Sequence, residues 1–210
     1  MDVNFGFPNL THLTPDPTAQ PERVSHLIIR AASQRDLSSL AQILADSFHP
    51  QNGILRWAYP LLRLGIYEDL RSRLRSISPH TICLVAVAAS SSEAGASEYI
   101  AGTVEMALRS PSYWQPKVRE YPYISNLAVR RSFRRQGVAM QLLHSCEQTA
   151  IEWGFGDLYL HVLENNHQAR QLYLKTGYQL HQVDRSFGSC VLGQPRRLFL
   201  RKYLTPGSTV

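Results

Sequence analysis

The sequence predicts a single mixed α/β domain, and three observations carry that reading. Short apolar segments of strand length alternate with segments whose apolar residues recur at helical spacing, from residue 26 to residue 204. No Pro/Gly/Ser-rich linker divides this stretch. With 44% hydrophobic and 18% charged residues over 210 positions, the chain can bury one sizeable core and is not disordered.

Residues 1–25 are rich in Pro, Asn, Thr and Asp without apolar periodicity, so they read as a flexible arm preceding a domain over 26–205. His26–Ala32 is a first strand. Ser33 and Asp36 then form an S-x-x-D capping box ahead of a helix whose apolar stripe is Leu37, Leu40, Ala41, Leu44 and Phe48. Pro50, Gly53 and Pro60 interrupt the pattern over 49–65, and a basic helix is expected over Ile66–Ser76. Thr81–Ala89 and Tyr99–Leu108 form a hairpin around the loop SSSEAGASE, and YPYISNLAV (121–129) is the next strand. A basic turn, RRSFRRQG, opens a helix over Gly137–Trp153. Its predicted core stripe is Ala139, Leu142, Leu143, Cys146, Ala150 and Trp153, with Gln141, Glu147, Gln148 and Glu152 on the wet face. A strand (Asp157–Leu163), a short helix (His167–Thr176) stopped by Gly177, and strands at Tyr178–Asp184 and Arg196–Leu204 complete the domain.

The charge narrows the partner. Lys+Arg number 22 against 16 Asp+Glu, a net +6, and the only lysines are Lys117, Lys175 and Lys202. A surplus carried by arginine favours a phosphate-bearing ligand, because the guanidinium fork binds phosphate bidentately. Three widely spaced cysteines (Cys83, Cys146, Cys190) suggest neither a disulfide framework nor a zinc site, and they fit a reducing compartment. No apolar run approaches the ~20 residues of a membrane span. The first residues, MDVNFGFPNL, resemble neither a secretory signal nor a transit peptide, so a cytoplasmic location is expected.

The segment 123–139 carries the chemistry. A strand runs into Arg134-Arg135-Gln136-Gly137-Val138-Ala139 and then a helix. The first turn of a helix presents unpaired N–H groups and a positive dipole end, and a glycine there lets an anion approach the backbone. Arg130, Arg131, Arg134 and Arg135 add charge to the same turn. The pattern is neither a P-loop nor a dinucleotide fingerprint.

Arg134-x-x-Gly137-x-Ala139 after an apolar strand resembles the acetyl-CoA signature of the GNAT superfamily of N-acetyltransferases. Asn166-x-x-Ala169-x-x-Leu172-Tyr173-x-x-x-Gly177-Tyr178 resembles its second motif. The resemblance covers 27–204, and its diagnostic part is 121–178. It implies a GNAT fold of about seven strands and four helices, with a V-shaped splay between the fourth and fifth strands that holds acetyl-CoA. The pyrophosphate would meet Arg134, Arg135, Gln136, Gly137, Val138 and Ala139. The pantetheine arm would run along Leu127, Ala128 and Val129 and reach Asn166. Tyr173 would face the thioester sulfur and act as general acid; otherwise it only packs beside Leu172.

Two further residues resemble the N-terminal protein acetyltransferases of the superfamily. His161 lies twelve positions before Tyr173, and Tyr123 fourteen before Gly137. These offsets are similar to those of members that relay a proton through a tyrosine, a histidine and water. The alternative is a satisfied core histidine. An α-amine near neutral pH costs well under 1 kcal/mol to deprotonate, a lysine ammonium about 4 kcal/mol, which favours a protein N-terminus over a lysine side chain. The ending RRLFLRKYL and the strand YISNLAV resemble the cyanobacterial and plastid branch, associated with both activities.

Other readings remain at this stage. Cys190 would support a covalent acetyl-cysteine route only with an activating partner, and none is readable. Glu105 is a reserve base, although a mid-strand carboxylate is usually solvent-facing. Cys83 and Cys146 read as core, and His49, His144, His167 and His181 as surface or structural, with no metal site. A small-amine acetyltransferase or a non-catalytic acyl-CoA-binding domain are the alternatives to a protein acetyltransferase. The acceptor groove would be built from 49–65 and 185–195. Neither nucleic acid nor membrane is expected as a partner, and the oligomeric state stays open.

Overall fold

The computed structural model describes residues 26–48, 59–75, 79–90, 97–110, 120–184 and 195–205. The arm expected over 1–25, Cys190, and most of the two groove segments lie outside these. Seven strands are β1 (His26–Ala31), β2 (Thr81–Ser90), β3 (Ser97–Arg109), β4 (Tyr121–Val129), β5 (Asp157–Leu163), β6 (Gln179–Asp184) and β7 (Arg197–Tyr203). Four helices are α1 (Leu37–Phe48), α2 (Tyr59–Arg75), α3 (Val138–Glu152) and α4 (His167–Lys175). The sheet order is β1-β2-β3-β4-β5-β7-β6, and β4–β5 is its parallel pair. No described helix is long and apolar enough to cross a membrane.

The alternation of each strand divides the core between the two faces of the sheet. Leu84, Val104, Met106, Ile124, Leu158, Leu160 and Leu200 meet Val138, Leu142, Leu143, Cys146 and Tyr173 from α3 and α4. The other face takes Val85, Val87 and Ala128 against Leu40, Ala41 and Leu44 of α1 and Leu70 of α2. Both cysteines expected in the core are there: Cys146 is fully buried, and Cys83 packs against the α1–α2 cluster.

Two elements depart from expectation. Helix α2 starts at Tyr59, seven residues before the predicted Ile66. Pro60 stands in its first turn, where the missing N–H has no intrahelical partner to lose. On α3, Glu147 is buried rather than wet, and its Oε1 meets Lys202 Nζ of β7 at 2.7 Å. It lies four residues after Leu143 and three before Ala150, on the core side of the stripe, so position overrode polarity.

The predicted capping box forms. The Asp36 carboxylate accepts from the Ser33 N–H at 2.7 Å and the Ser33 hydroxyl at 2.9 Å, and takes both Arg30 nitrogens at 2.7 and 3.0 Å. The Arg30 hydrogen bonds, before all else, hold the Asp36 carboxyl at about 2, below its ordinary 3.8. Between those values the unfolded chain binds more protons, so this stabilisation is complete above about pH 4 and is lost as pH falls towards 2. Because Arg30 is partly solvated, the contribution is about 1–2 kcal/mol. Asp36→Asn should lower the thermal midpoint at pH 7 and flatten the acid limb of the stability curve; an unchanged acid limb would refute the assignment.

Candidate active site

The site begins where β4 and β5 part. They pair in register at Tyr123↔Tyr159 and Ile124↔Leu160, and the pairing goes no further. The reason lies on the other edge of β4. Asn126 adopts φ 53, and the β3 register steps from Glu105↔Ser125 to Thr103↔Ala128, so two β4 residues oppose one of β3. Such a bulge bends its strand and strengthens its twist. Leu127, Ala128 and Val129 therefore rim the open side of the splay. Gly102 makes this possible: a Cβ there would lie 2.9 Å from the Ala128 carbonyl and 3.2 Å from both Val129 and Val138.

Beyond Val129 the chain turns through a short 3-10 segment, Arg131–Phe133, into the extended Arg134. Arg135 (φ 65) and Gly137 (φ 80) are both left-handed, and Gly137 is the N-cap of α3. Arg134 Nε donates to the Val129 carbonyl at 3.1 Å, and Gln136 Nε2 to the Ser132 carbonyl at 3.0 Å, which braces the turn. Val138 and Leu142 seat the helix in the core, so its first-turn N–H groups stay aimed at the mouth of the splay. A Cβ on Gly137 would meet no heavy atom within 4 Å. That open space above unpaired donors fits a pyrophosphate. Across the mouth, Asn166 caps α4, its Oδ1 accepting from the Ala169 N–H at 3.1 Å. Its amide nitrogen keeps two donors for a ligand.

At the inner end of the splay the predicted side chains come together. Tyr123 Oη lies 2.9 Å from His161 Nδ1, and His161 Nε2 lies 2.9 Å from Asp184 Oδ2. The imidazole stacks on Phe199 at 4.6 Å, and the Arg109 guanidinium sits 3.6 Å over the Tyr123 ring. Burial, then Arg197, lowers the His161 pKa below its ordinary 6.5, outweighing Asp184. The imidazole is therefore neutral near pH 7 and able to take a proton. Tyr173 is 8% exposed, with its ring edge-on to Tyr178 at 5.8 Å. Burial, with a smaller effect from Tyr123, pushes its phenol up to about 12.

The splay thus gathers a parallel strand pair, the N–H groups that open α3, the Tyr123–His161 hydrogen bond and the buried Tyr173 phenol. The family model described as the acetyltransferase (GNAT) family matches residues 41–178, more than half of the chain. The chain belongs to the GNAT acetyltransferase family. It is an acetyltransferase whose co-substrate is acetyl-CoA. The Arabidopsis thaliana protein GCN5-related N-acetyltransferase 10, chloroplastic, is 28% identical over 208 residues, covering 92% of this chain and 81% of that protein. The structure of A. thaliana NAA60 in complex with a bisubstrate analogue shares the fold at TM-score 0.61 and 21% identity, over 86% of this chain and all of that one (100%). The NatC complex bound to Gag peptide and CoA matches at TM-score 0.57 and 16% identity, over 86% and 99%.

These findings correct the expected location of this GNAT acetyltransferase. Several A. thaliana relatives are chloroplastic, which overturns the cytoplasmic placement. Compartment is set by an address signal or by the host cell, and the composition of a catalytic domain carries neither. Glu105, the reserve base, is buried rather than solvent-facing, and its carboxylate is held by Arg73 Nη1 at 3.0 Å. Burial pushes the Cys83 and Cys146 thiols up to about 12, so neither is a nucleophile at neutral pH. His181 joins the aromatic cluster, 5.6 Å from Phe199. Asp184 escaped the sequence reading altogether, because a lone carboxylate at a strand end gives no signal by itself.

Proposed function

We propose that this GNAT acetyltransferase transfers the acetyl group directly to a protein amine, with N-terminal α-amines as its first acceptors and lysine side chains as the second. The observation that carries this reading is the Tyr123–His161 hydrogen bond at the closed end of the splay. The neutral amine nitrogen attacks the thioester carbonyl, the C–S bond breaks, and the new C–N bond forms. The ammonium proton that must leave before attack passes through water to the Tyr123 oxygen as the Tyr123 proton moves to His161 Nδ1, and the proton that nitrogen loses after attack goes to the thiolate. Tyr173 supplies a hydrogen bond to the departing thiolate. A phenol at about 12 keeps its proton at working pH, so it stabilises that charge as a donor more than it titrates as an acid.

The amine preference follows from charge. Arg109 and Arg197 both depress His161, and a further cation entering beside them is disfavoured. An α-amine sheds its proton for well under 1 kcal/mol near neutral pH, whereas a lysine needs about 4 kcal/mol. The peptide in the NatC structure is consistent with an open acceptor groove in this fold. Residues 26–205 form the catalytic domain, and the chloroplastic relatives support a plastid-type setting.

Incubation with acetyl-CoA, free-N-terminus peptides, N-terminally blocked lysine peptides and small amines, followed by mass spectrometry, tests this. We expect α-acetylated peptides first and lysine-acetylated peptides more slowly. Turnover of small amines alone would overturn the protein-acceptor reading, and CoA binding without turnover would make the chain an acyl-CoA-binding domain.

A further inference from the structure

The carboxylate behind His161 has no role in the relay as described. We propose that Asp184 is a positioning residue of this site: it fixes His161 in the Nε2–H tautomer, so that the Nδ1 lone pair is the one presented to Tyr123. The inference rests on reading Tyr123 and His161 as the proton relay, and extends it by one residue.

The local fold explains how an edge-strand residue arrives there. Opposed residues in an antiparallel ladder share a face. Leu180 pairs with Leu200, whose side chain lies in the α3–α4 core. Strict alternation would put Asp184, four residues later, on that same core face. The register instead shifts between Leu180 and Gln182, leaving His181 as the extra residue, and β6 re-enters the ladder with Gln182↔Phe199, then Val183↔Leu198 and Asp184↔Arg197. The bulge swaps the faces. Val183 packs on the core, and Asp184 swings to the face of Phe199 and His161.

The geometry then leaves one proton arrangement. An ionised carboxylate only accepts, so the 2.9 Å contact between Asp184 Oδ2 and His161 Nε2 requires the hydrogen on Nε2. A neutral imidazole has one N–H, so Nδ1 is the acceptor, and the 2.9 Å contact there is donated by the Tyr123 hydroxyl. The charged and titratable groups around the ring are Asp184 from β6, Arg197 from β7, Arg109 from β3 and Tyr123 from β4; Tyr159 on its own strand and His181 of β6 complete the aromatic surround through Phe199. Among these, Asp184 is the anion. When Nδ1 takes the Tyr123 proton, the imidazolium keeps its Nε2–H on the Asp184 carboxylate. This is the orienting logic of an acid–histidine pair in a hydrolase triad, applied to amine deprotonation.

Asp184→Asn keeps the shape but replaces an acceptor-only carboxylate by an amide that presents either NH₂ or Oδ1 to Nε2, which removes the bias for the Nε2–H form and lets the Nδ1–H form, with no lone pair towards Tyr123, be populated. Long-range ¹H–¹⁵N spectra of the full chain should show Nε2–H for His161 in the parent and a shift towards Nδ1–H in Asp184→Asn, without any acceptor present. With acetyl-CoA and a library of free-α-amine peptides, kcat should fall up to about tenfold at pH 7. KM for acetyl-CoA should be unchanged, the deficit should close by about pH 9 as α-amines deprotonate themselves, and Asp184→Glu should restore part of the rate. A parent spectrum showing Nδ1–H overturns the proposal. So does an equal loss at every pH, or full activity in Asp184→Asn where His161→Ala is impaired. If His161→Ala is itself fully active, the relay reading falls, and the spectra alone still decide whether Asp184 sets the tautomer.

Discussion

Gly137→Val should lower acetyl-CoA affinity more than 100-fold while leaving the fold intact. Two effects add. Gly137 sits at φ 80, a left-handed conformation that a β-branched residue adopts only at a cost of about 1–2 kcal/mol or more. Relaxing that strain rotates the Arg135–Ala139 amides out of convergence. The second effect is steric. A Cβ here meets nothing in the protein within 4 Å, so the new side chain fills the space in front of the first turn of α3. Losing two charge-assisted hydrogen bonds to phosphate at about 1.5–3 kcal/mol each already exceeds a factor of 100. Calorimetric titration with CoA measures the affinity, and the CoA-induced rise in melting temperature reports it independently. The parent should show that rise and the variant should not. Unchanged affinity would remove this turn from the cofactor site.

The cradle was legible in the sequence because its physics is local. Most of a strand, a basic turn, one glycine and the start of an amphipathic helix lie within seventeen residues, 123–139, and backbone donors need no distant partner. The Tyr123–His161 pair was reachable only through family offsets, since the two are 38 positions apart and are brought together by the parallel β4–β5 register. Asp184 needed more still. Its place depends on a bulge at His181 that reverses the faces of β6, and no periodicity in QLHQVD announces it. Gly102 gave no signal either, because the close approach of the Ala128 carbonyl is a tertiary fact. Glu105 and Glu147 misled for a common reason. Each was read as solvent-facing from its charge, and each is buried against a cation from another element, Arg73 and Lys202.

His161→Ala and Tyr173→Phe should both slow acetyl transfer, and the shapes of their pH profiles should differ. The parent base has a pKa below 6.5, so kcat should be nearly flat from about pH 7 upwards. Without the imidazole, the acceptor must arrive already neutral or lose its proton to solvent. An α-amine has a pKa near 8, so the His161→Ala rate should drop about tenfold per unit below that value and converge on the parent above about pH 9. Near pH 7 the deficit should be roughly tenfold, set by the neutral fraction of an α-amine one unit below its pKa. Tyr173→Phe removes a donor whose own pKa is about 12, so nothing titrates between pH 6 and 10 to shape its loss. The expected deficit is about 10²-fold at every pH, the scale of losing one preorganised donor to a developing anion. Stopped-time assays of CoA release from pH 6 to 10 distinguish the cases. A pH-independent loss in His161→Ala would make the histidine a packing residue behind Tyr123. Full activity in Tyr173→Phe would leave the thiolate to depart without help from α4.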